Sequence, residues 1–266
     1  MRFVRLGEPG QEREAVLLDD EYAAWLPPGD NDLKARAAAA TGRVALADHR
    51  IGPPLRPGKI VCVGLNYADH AAEGGQPAPD QPILFMKAPD TVVGAYDDVV
   101  IPEGGEKTDW EVELGVVIGR RATNLASEQV AAEHIAGYVL CNDVSERHFQ
   151  LERGGQWDKG KNCATFCPLG PWFVTADEIA DPQDLALGLE VNGTAYQKSN
   201  TGQMIFSVTH LVWYVAQFMT LYPGDVISTG TPAGVGAGQR PPVFLRRGDV
   251  MRAWAAGLGE QRSRLV

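Results

Sequence analysis

Residues 108–119 read TDWEVELGVVIG, and the stretch from Val112 to Ile118 is a run of apolar, largely β-branched residues closed by Gly119. Its length and composition specify a β-strand. Glu111 and Glu113 stand two residues apart in it, and alternation along a strand puts both on one face. Two carboxylates facing the same way in apolar surroundings repel each other and lose solvation, so they persist together only if exposed, protonated or bridged by a cation. With Val112 and Leu114 facing a core, the pair reads either as the exposed acidic face of an edge strand or as half of a cation site.

Outward from this strand, further β-type runs occur at Lys59–Val63, Tyr138–Cys141, Trp172–Val174, Leu187–Val191 and Val226–Ser228. The 30 Gly and 18 Pro among 266 residues favour many short elements joined by turns. Helical patterns are fewer: Asp32–Ala40, Ser127–Ala136, and Ser207–Phe218, where Val208, Leu211, Val212, Val215 and Phe218 recur at helical spacing. The pattern predicts a β-rich α/β fold. The Pro-containing stretch IGPPLRPG (51–58) marks a boundary between a small N-terminal α+β element, residues 1–56, and a main domain, residues 57–266.

The charge balance is 24 Lys+Arg against 34 Asp+Glu, a formal net charge of −10, which disfavours a nucleic-acid partner. The N-terminal residues lack the apolar core of a secretory signal, and no run approaches 18 apolar residues, so the expectation is a cytoplasmic protein without a membrane partner. The four cysteines, Cys62, Cys141, Cys163 and Cys167, lack the C-x-x-C spacing of a redox or zinc site and read as free thiols.

Two further places carry chemistry. The apolar run GYVLC ends at Asn142-Asp143, and a carboxylate at a strand end can supply a third oxygen to Glu111 and Glu113. Three carboxylates without clustered His or Cys specify a hard cation, Mg²⁺ or Mn²⁺ with Ca²⁺ as a further candidate, rather than zinc. Taken alone, Asp143 reads equally as a helix N-cap or turn residue. In GLNYADHAAEGG, His70 and Glu73 are three apart and share a helical face, the arrangement that orients an imidazole to deprotonate water. An isolated H-x-x-E reads equally as a surface ion pair.

Eight motifs in order, GLNYADHAAE, FMKAPDTVVG, DWEVELGVVIG, GYVLCNDVSERHFQ, GKNCATFCPLGPW, LEVNGTAYQKSNTGQMIF, GDVISTGTPAGVG and RRGDVMRAW, resemble the fumarylacetoacetate hydrolase family from Lys59 to Val266. The resemblance implies a mixed β-sheet roll, a homodimer, and a small-molecule 2-oxo acid substrate. It assigns Glu111, Glu113 and Asp143 to the divalent-metal ligands and His70 with Glu73 to a water-activating dyad on a lid-like helix. Lys161 matches the lysine facing the reacting oxygens, and Arg147, Gln150 and Thr231 match substrate-contacting positions. One departure stands in the lysine motif: small members commonly read K-S-F-D-T-F, whereas this chain has KNCATF, with Asn162 and with Ala164 in place of the acid. The implied activity is hydrolytic cleavage of a carbon–carbon bond in a 2,4-dioxo acid, such as an acylpyruvate or fumarylpyruvate, through a metal-held enolate. Oxaloacetate decarboxylation and tautomerisation of a dienol diacid are the enzymatic alternatives. A non-catalytic, metal-stabilised binding protein is a third, motivated by Asn162 and Ala164.

Overall fold

The computed structural model describes residues 1–29, 32–75 and 77–266. Its strands are β1 (Arg2–Leu6), β2 (Arg13–Leu17), β3 (Tyr22–Trp25), β4 (Thr41–Ala45), β5 (Ile60–Gly64), β6 (Ile83–Lys87), β7 (Val112–Ile118), β8 (Ile135–Asn142), β9 (Cys167–Thr175), β10 (Ala186–Val191), β11 (Thr194–Asn200), β12 (Val226–Ser228), β13 (Val250–Ala255) and β14 (Gly259–Arg264). Ten of them form a mixed sheet in the order β4-β3-β2-β1-β9-β8-β7-β12-β5-β6, with Ile51–Gly52 added beside β1 and Val92–Gly94 beside β9. A second sheet runs β11-β10-β13-β14. The helices are short: α1 (Leu33–Ala38), α2 (Ala68–Glu73), α3 (Glu128–Ala132), α4 (Arg147–Leu151), α5 (Asp158–Lys161) and α6 (Val208–Phe218). Among the described residues no helix is long and apolar enough to cross a membrane, and all four cysteines are free.

The strand at Val112–Ile118 lies inside the large sheet, antiparallel to β8 (Val112↔Asn142, Leu114↔Leu140) and to β12 (Gly115↔Ser228). Every residue of it is buried, so the edge-strand alternative for Glu111 and Glu113 is overturned. Leu114, Val116 and Ile118 face a core shared with Leu187 and Leu189 of β10, Met251 and Ala253 of β13, and the apolar face of α6. Val117, on the alternate face, packs with Cys62, Val139, Cys141 and Phe173. Glu111 and Glu113 have Val117's parity and so share its face.

The helix expected over Ser127–Ala136 is shorter. Ser127 Oγ caps it by accepting from Val130 N at 3.3 Å, but Ile135 already pairs with Ile118 in the sheet, and that ladder outcompetes the last helical turn. Residues 1–56 join the large sheet through β1 and β9 (Arg2↔Val174, Phe3↔Phe173).

Near that junction Glu12, its side chain 4% exposed, receives Arg5 Nη2 at 3.2 Å, Arg50 Nη1 at 3.1 Å and Arg56 Nη2 at 2.6 Å. Burial alone would push the Glu12 carboxyl up, but a backbone hydrogen bond and the guanidinium groups of Arg56, Arg50 and Arg5 hold it down at about 2, against an ordinary 4.5. A folded-state value below the unfolded one gives stability that is present above pH 4.5 and lost as pH falls towards 2, about 3 kcal/mol by linkage. Glu12→Gln is therefore expected to cost about 3 kcal/mol at pH 7 in urea denaturation. Its unfolding free energy should also fall less steeply between pH 4.5 and pH 2 than that of the native protein. Parallel curves for the two proteins would refute the linkage.

Candidate active site

Glu111 and Glu113 enter the site from the start of β7, and Asp143 follows directly on β8, tied back by its N–H to Glu111 O at 2.9 Å. The three carboxylates offer one oxygen each within 4.8 Å of one another, and all three residues are buried. Asp143 caps no helix, which overturns its turn-residue alternative: its oxygens accept from Lys161 Nζ at 2.7 Å and Lys87 Nζ at 2.6 Å. Lys161, the last residue of α5, also donates to Glu111 Oε2 at 2.8 Å. Arg147, the first residue of α4, reaches Glu111 Oε1 at 2.6 Å, Asp109 Oδ2 at 2.9 Å and Gln150 Oε1 at 3.0 Å.

Burial opposes the charge of Lys161, Glu111 and Glu113, and their neighbours add to or override it. Burial pulls the Lys161 ammonium down, but Asp143 and Glu111 raise it well above the ordinary lysine value, so it remains an ammonium. Glu111 is pushed up by burial and pulled further down by Lys161 and Arg147, ending below the usual carboxylate range. Glu113 is pushed well up by burial and by the neighbouring Asp143 and Glu111. It forms no ion pair with Lys or Arg among the described residues, and Ser228 Oγ at 2.6 Å and Gly230 N at 2.9 Å both donate to its Oε2. Gly230 takes φ +97°, and a Cβ there would stand 2.9 Å from Asn66 Cβ, so the turn that aims this N–H requires glycine. A buried carboxylate without a cationic partner, beside two others, fits a hard divalent cation, and the all-oxygen donor set argues against zinc.

His70 and Glu73 stand on α2, with Nδ1 3.2 Å from Glu73 Oε2. The other Glu73 oxygen accepts from Gly234 N at 2.9 Å, and Asp69 on the same helix accepts from Ser199 Oγ at 2.7 Å. The helix is thus pinned to the 233–234 loop and to β11, and the dyad is half-buried rather than a surface pair. Within the lid-like stretch, Gln76 lies outside the described residues.

His70, Glu73, Glu111, Glu113, Arg147, Gln150, Lys161 and Thr231 all line one cavity of about 450 Å³. Asp143 lies just behind its wall, fully buried. Thr231 Oγ1 donates to Val112 O at 2.9 Å and accepts from Gln197 Nε2 at 2.8 Å, joining the cavity floor to β7. Ala164 is exposed and does not line the cavity. Lys161 takes its direction from Glu111 and Asp143, so the missing acid does not disturb it. Asn162 ties α5 to β6, its Nδ2 donating to Met86 O at 3.0 Å and its Oδ1 accepting from Ala88 N.

Sequence reasoning passed over two charged residues here. Lys87 is buried behind Asp143. Asp109 accepts from Gly236 N at 2.6 Å and Ala237 N at 3.0 Å while pairing with Arg147, so it braces the loop facing Glu73.

The family model described as fumarylacetoacetate (FAA) hydrolase C-terminal matches residues 59–266. The chain belongs to the fumarylacetoacetate hydrolase family. A protein of Burkholderia multivorans, named only provisionally as a hydrolase, is 48% identical over 275 positions, covering 98% of this chain and 97% of its own. The structure of 5-carboxymethyl-2-hydroxymuconate delta-isomerase from Mycobacterium smegmatis superposes with a TM-score of 0.84 at 36% identity, covering 100% of this chain and 98% of its own. Fumarylacetoacetate hydrolase from Exiguobacterium antarcticum gives 0.85 at 33% identity, covering 100% and 99%. The fumarylacetoacetate hydrolase family thus includes both hydrolases and isomerases on this β-rich fold, and this chain is an enzyme of that family.

Proposed function

We propose that this enzyme cleaves the carbon–carbon bond of a 2,4-dioxo acid by hydrolysis, in the cytoplasm and as a homodimer. The observation that carries the reading is the His70–Glu73 pair, which lines the same cavity as Lys161 and the acidic cluster. Isomerisation and decarboxylation need no activated water, whereas hydrolysis does.

Glu111, Glu113 and Asp143 would hold a Mg²⁺ or Mn²⁺ ion, whose chemistry when bound is to polarise the carboxylate and keto oxygens of a 2-oxo acid. The remaining steps belong to side chains. Glu73 engages Nδ1 of His70, leaving Nε2 to take a proton from water. The hydroxide oxygen adds to the C4 carbonyl, the C3–C4 bond breaks, and its electron pair passes into the enolate of pyruvate. The proton on Nε2 returns to C3, giving pyruvate and a carboxylic acid. Two hydrogens of the Lys161 ammonium are held by Glu111 and Asp143, and the third is free to stabilise the developing oxyanion. The same hydrogen bonds keep Lys161 from acting as an amine nucleophile. Arg147, Gln150 and Thr231 complete the binding surface.

Isomerisation of a dienol diacid is the second reading, favoured by the name of the Mycobacterium smegmatis neighbour. An assay of acylpyruvates, oxaloacetate and a dienol diacid with Mg²⁺, Mn²⁺ or EDTA separates them. The expected result is equimolar pyruvate and carboxylic acid from an acylpyruvate, abolished by EDTA and restored by either ion. Tautomerisation or decarboxylation as the only turnover would overturn the proposal.

A further inference from the structure

We infer that the part of the substrate beyond its reacting carbonyl is uncharged and apolar, an alkyl or aryl acyl group rather than a second carboxylate, and that Trp157 and Leu151 set this preference. The inference rests on the dioxo-acid reading of the same cavity. The cationic side chains lining the cavity, among the described residues, are Arg147 and Lys161, with His70 the only imidazole. Arg147 is held by Asp109, Glu111 and Gln150, and Lys161 is held between Glu111 and Asp143 at the acidic end. Both cations are thus tethered to the acidic cluster. Arg240 is exposed and lines a separate groove that meets the cavity only at Glu73, Gly74, Ala237 and Gly238.

The remaining wall is hydrocarbon. Phe85 and Trp157 meet edge to face, ring centroids 5.6 Å apart, and Leu65, Leu151 and Val235 line the same space. Trp157 packs so closely over Gly64 that a Cβ there would stand 2.7 Å from its ring. Leu65 holds φ +52°, a left-handed conformation that a leucine rarely adopts, at a position on this wall. A carboxylate placed against Phe85, Trp157 and Val235 would lose hydration without gaining a partner from these side chains, whereas an alkyl or phenyl group loses only unfavourable contact with water.

The test compares 2-oxohexanoate with 2-oxoadipate, two 2-oxo acids of the same chain length differing in a terminal methyl against a terminal carboxylate, by calorimetric titration into the full-length protein with Mg²⁺. The monoacid is expected to bind at least about tenfold more tightly. Trp157→Ala should weaken the monoacid and narrow the ratio. Leu151→Arg, at an exposed position that tolerates the change in the fold, should raise the affinity for 2-oxoadipate. Equal or tighter binding of the diacid by the native protein, or binding of neither acid, overturns the inference. Hydrolysis of hexanoylpyruvate and succinylpyruvate by the same preparation distinguishes the two levels. A monoacid binding preference without hydrolysis of either defeats the reaction assigned above but not the pocket chemistry, and hydrolysis with the diacid preferred defeats only the pocket chemistry.

Discussion

Replacing His70 with alanine is expected to lower kcat for acylpyruvate hydrolysis by about 10²–10⁴-fold, the range for loss of a positioned general base. Decarboxylation of oxaloacetate by the same variant should change far less, because that reaction releases carbon dioxide without activating water. The contrast is informative because α2 does not depend on the imidazole for its place. Asp69 is held by Ser199, and Glu73 by Gly234 N. A general loss of structure would reduce both activities together, and loss of substrate affinity would appear in KM rather than kcat. Glu73→Gln should give a smaller fall, since an amide oxygen can still accept from Gly234 N while the carboxylate that fixes the imidazole tautomer is gone. Hydrolysis by His70→Ala within threefold of the native rate would remove His70 from the chemistry.

What the sequence reveals about this site depends on how far each contact reaches along the chain. The facing of Glu111 and Glu113 is a local matter of strand alternation and is legible. Whether that face is exposed is not, because it depends on β8 and on β12, whose Ser228 pairs with Gly115 across more than a hundred residues. The helix over Ser127–Ala136 is overrun for the same reason: Ile135 and Ala136 continue a helical pattern locally but are claimed by the sheet. Lys87 ends an apolar strand just before Ala88-Pro89, where a lysine reads as a solvent-facing strand end. Only its partner Asp143, 56 positions later, makes it an interior cation. The apolar wall is hidden differently, since Leu151 and Trp157 flank the polar, glycine-containing stretch ERGGQ and show no periodicity. The eight ordered motifs carry the family and, through it, Lys161, Arg147, Gln150 and Thr231, which no spacing rule would have selected.

Lys87→Met is expected to destabilise the protein by about 3–5 kcal/mol, the cost of breaking a buried ion pair from one side. The side chain is fully buried. Its ammonium has three hydrogens and three acceptors: Asp143 Oδ1 at 2.6 Å, Val144 O at 3.0 Å and Lys161 O at 2.5 Å. Burial works against the charge, but Asp143 raises the ammonium above the ordinary lysine value. Methionine fills similar volume, so little of the loss is cavity formation. What remains is Asp143 with one cation fewer and two carbonyls without a donor, each a separate desolvation cost. Urea denaturation of the EDTA-treated protein reads this directly. Adding Asp143→Asn to Lys87→Met should recover part of the loss, because the uncompensated charge disappears. A single variant within about 1 kcal/mol of the native protein would mean that Lys161 alone suffices for Asp143. The consequence extends to activity, since the bond from Lys87 to Lys161 O fixes the last turn of α5 and with it the direction of the Lys161 side chain. Lys87→Met should therefore lower kcat even under conditions where it is fully folded, although Lys87 lies behind the cavity wall and touches no substrate.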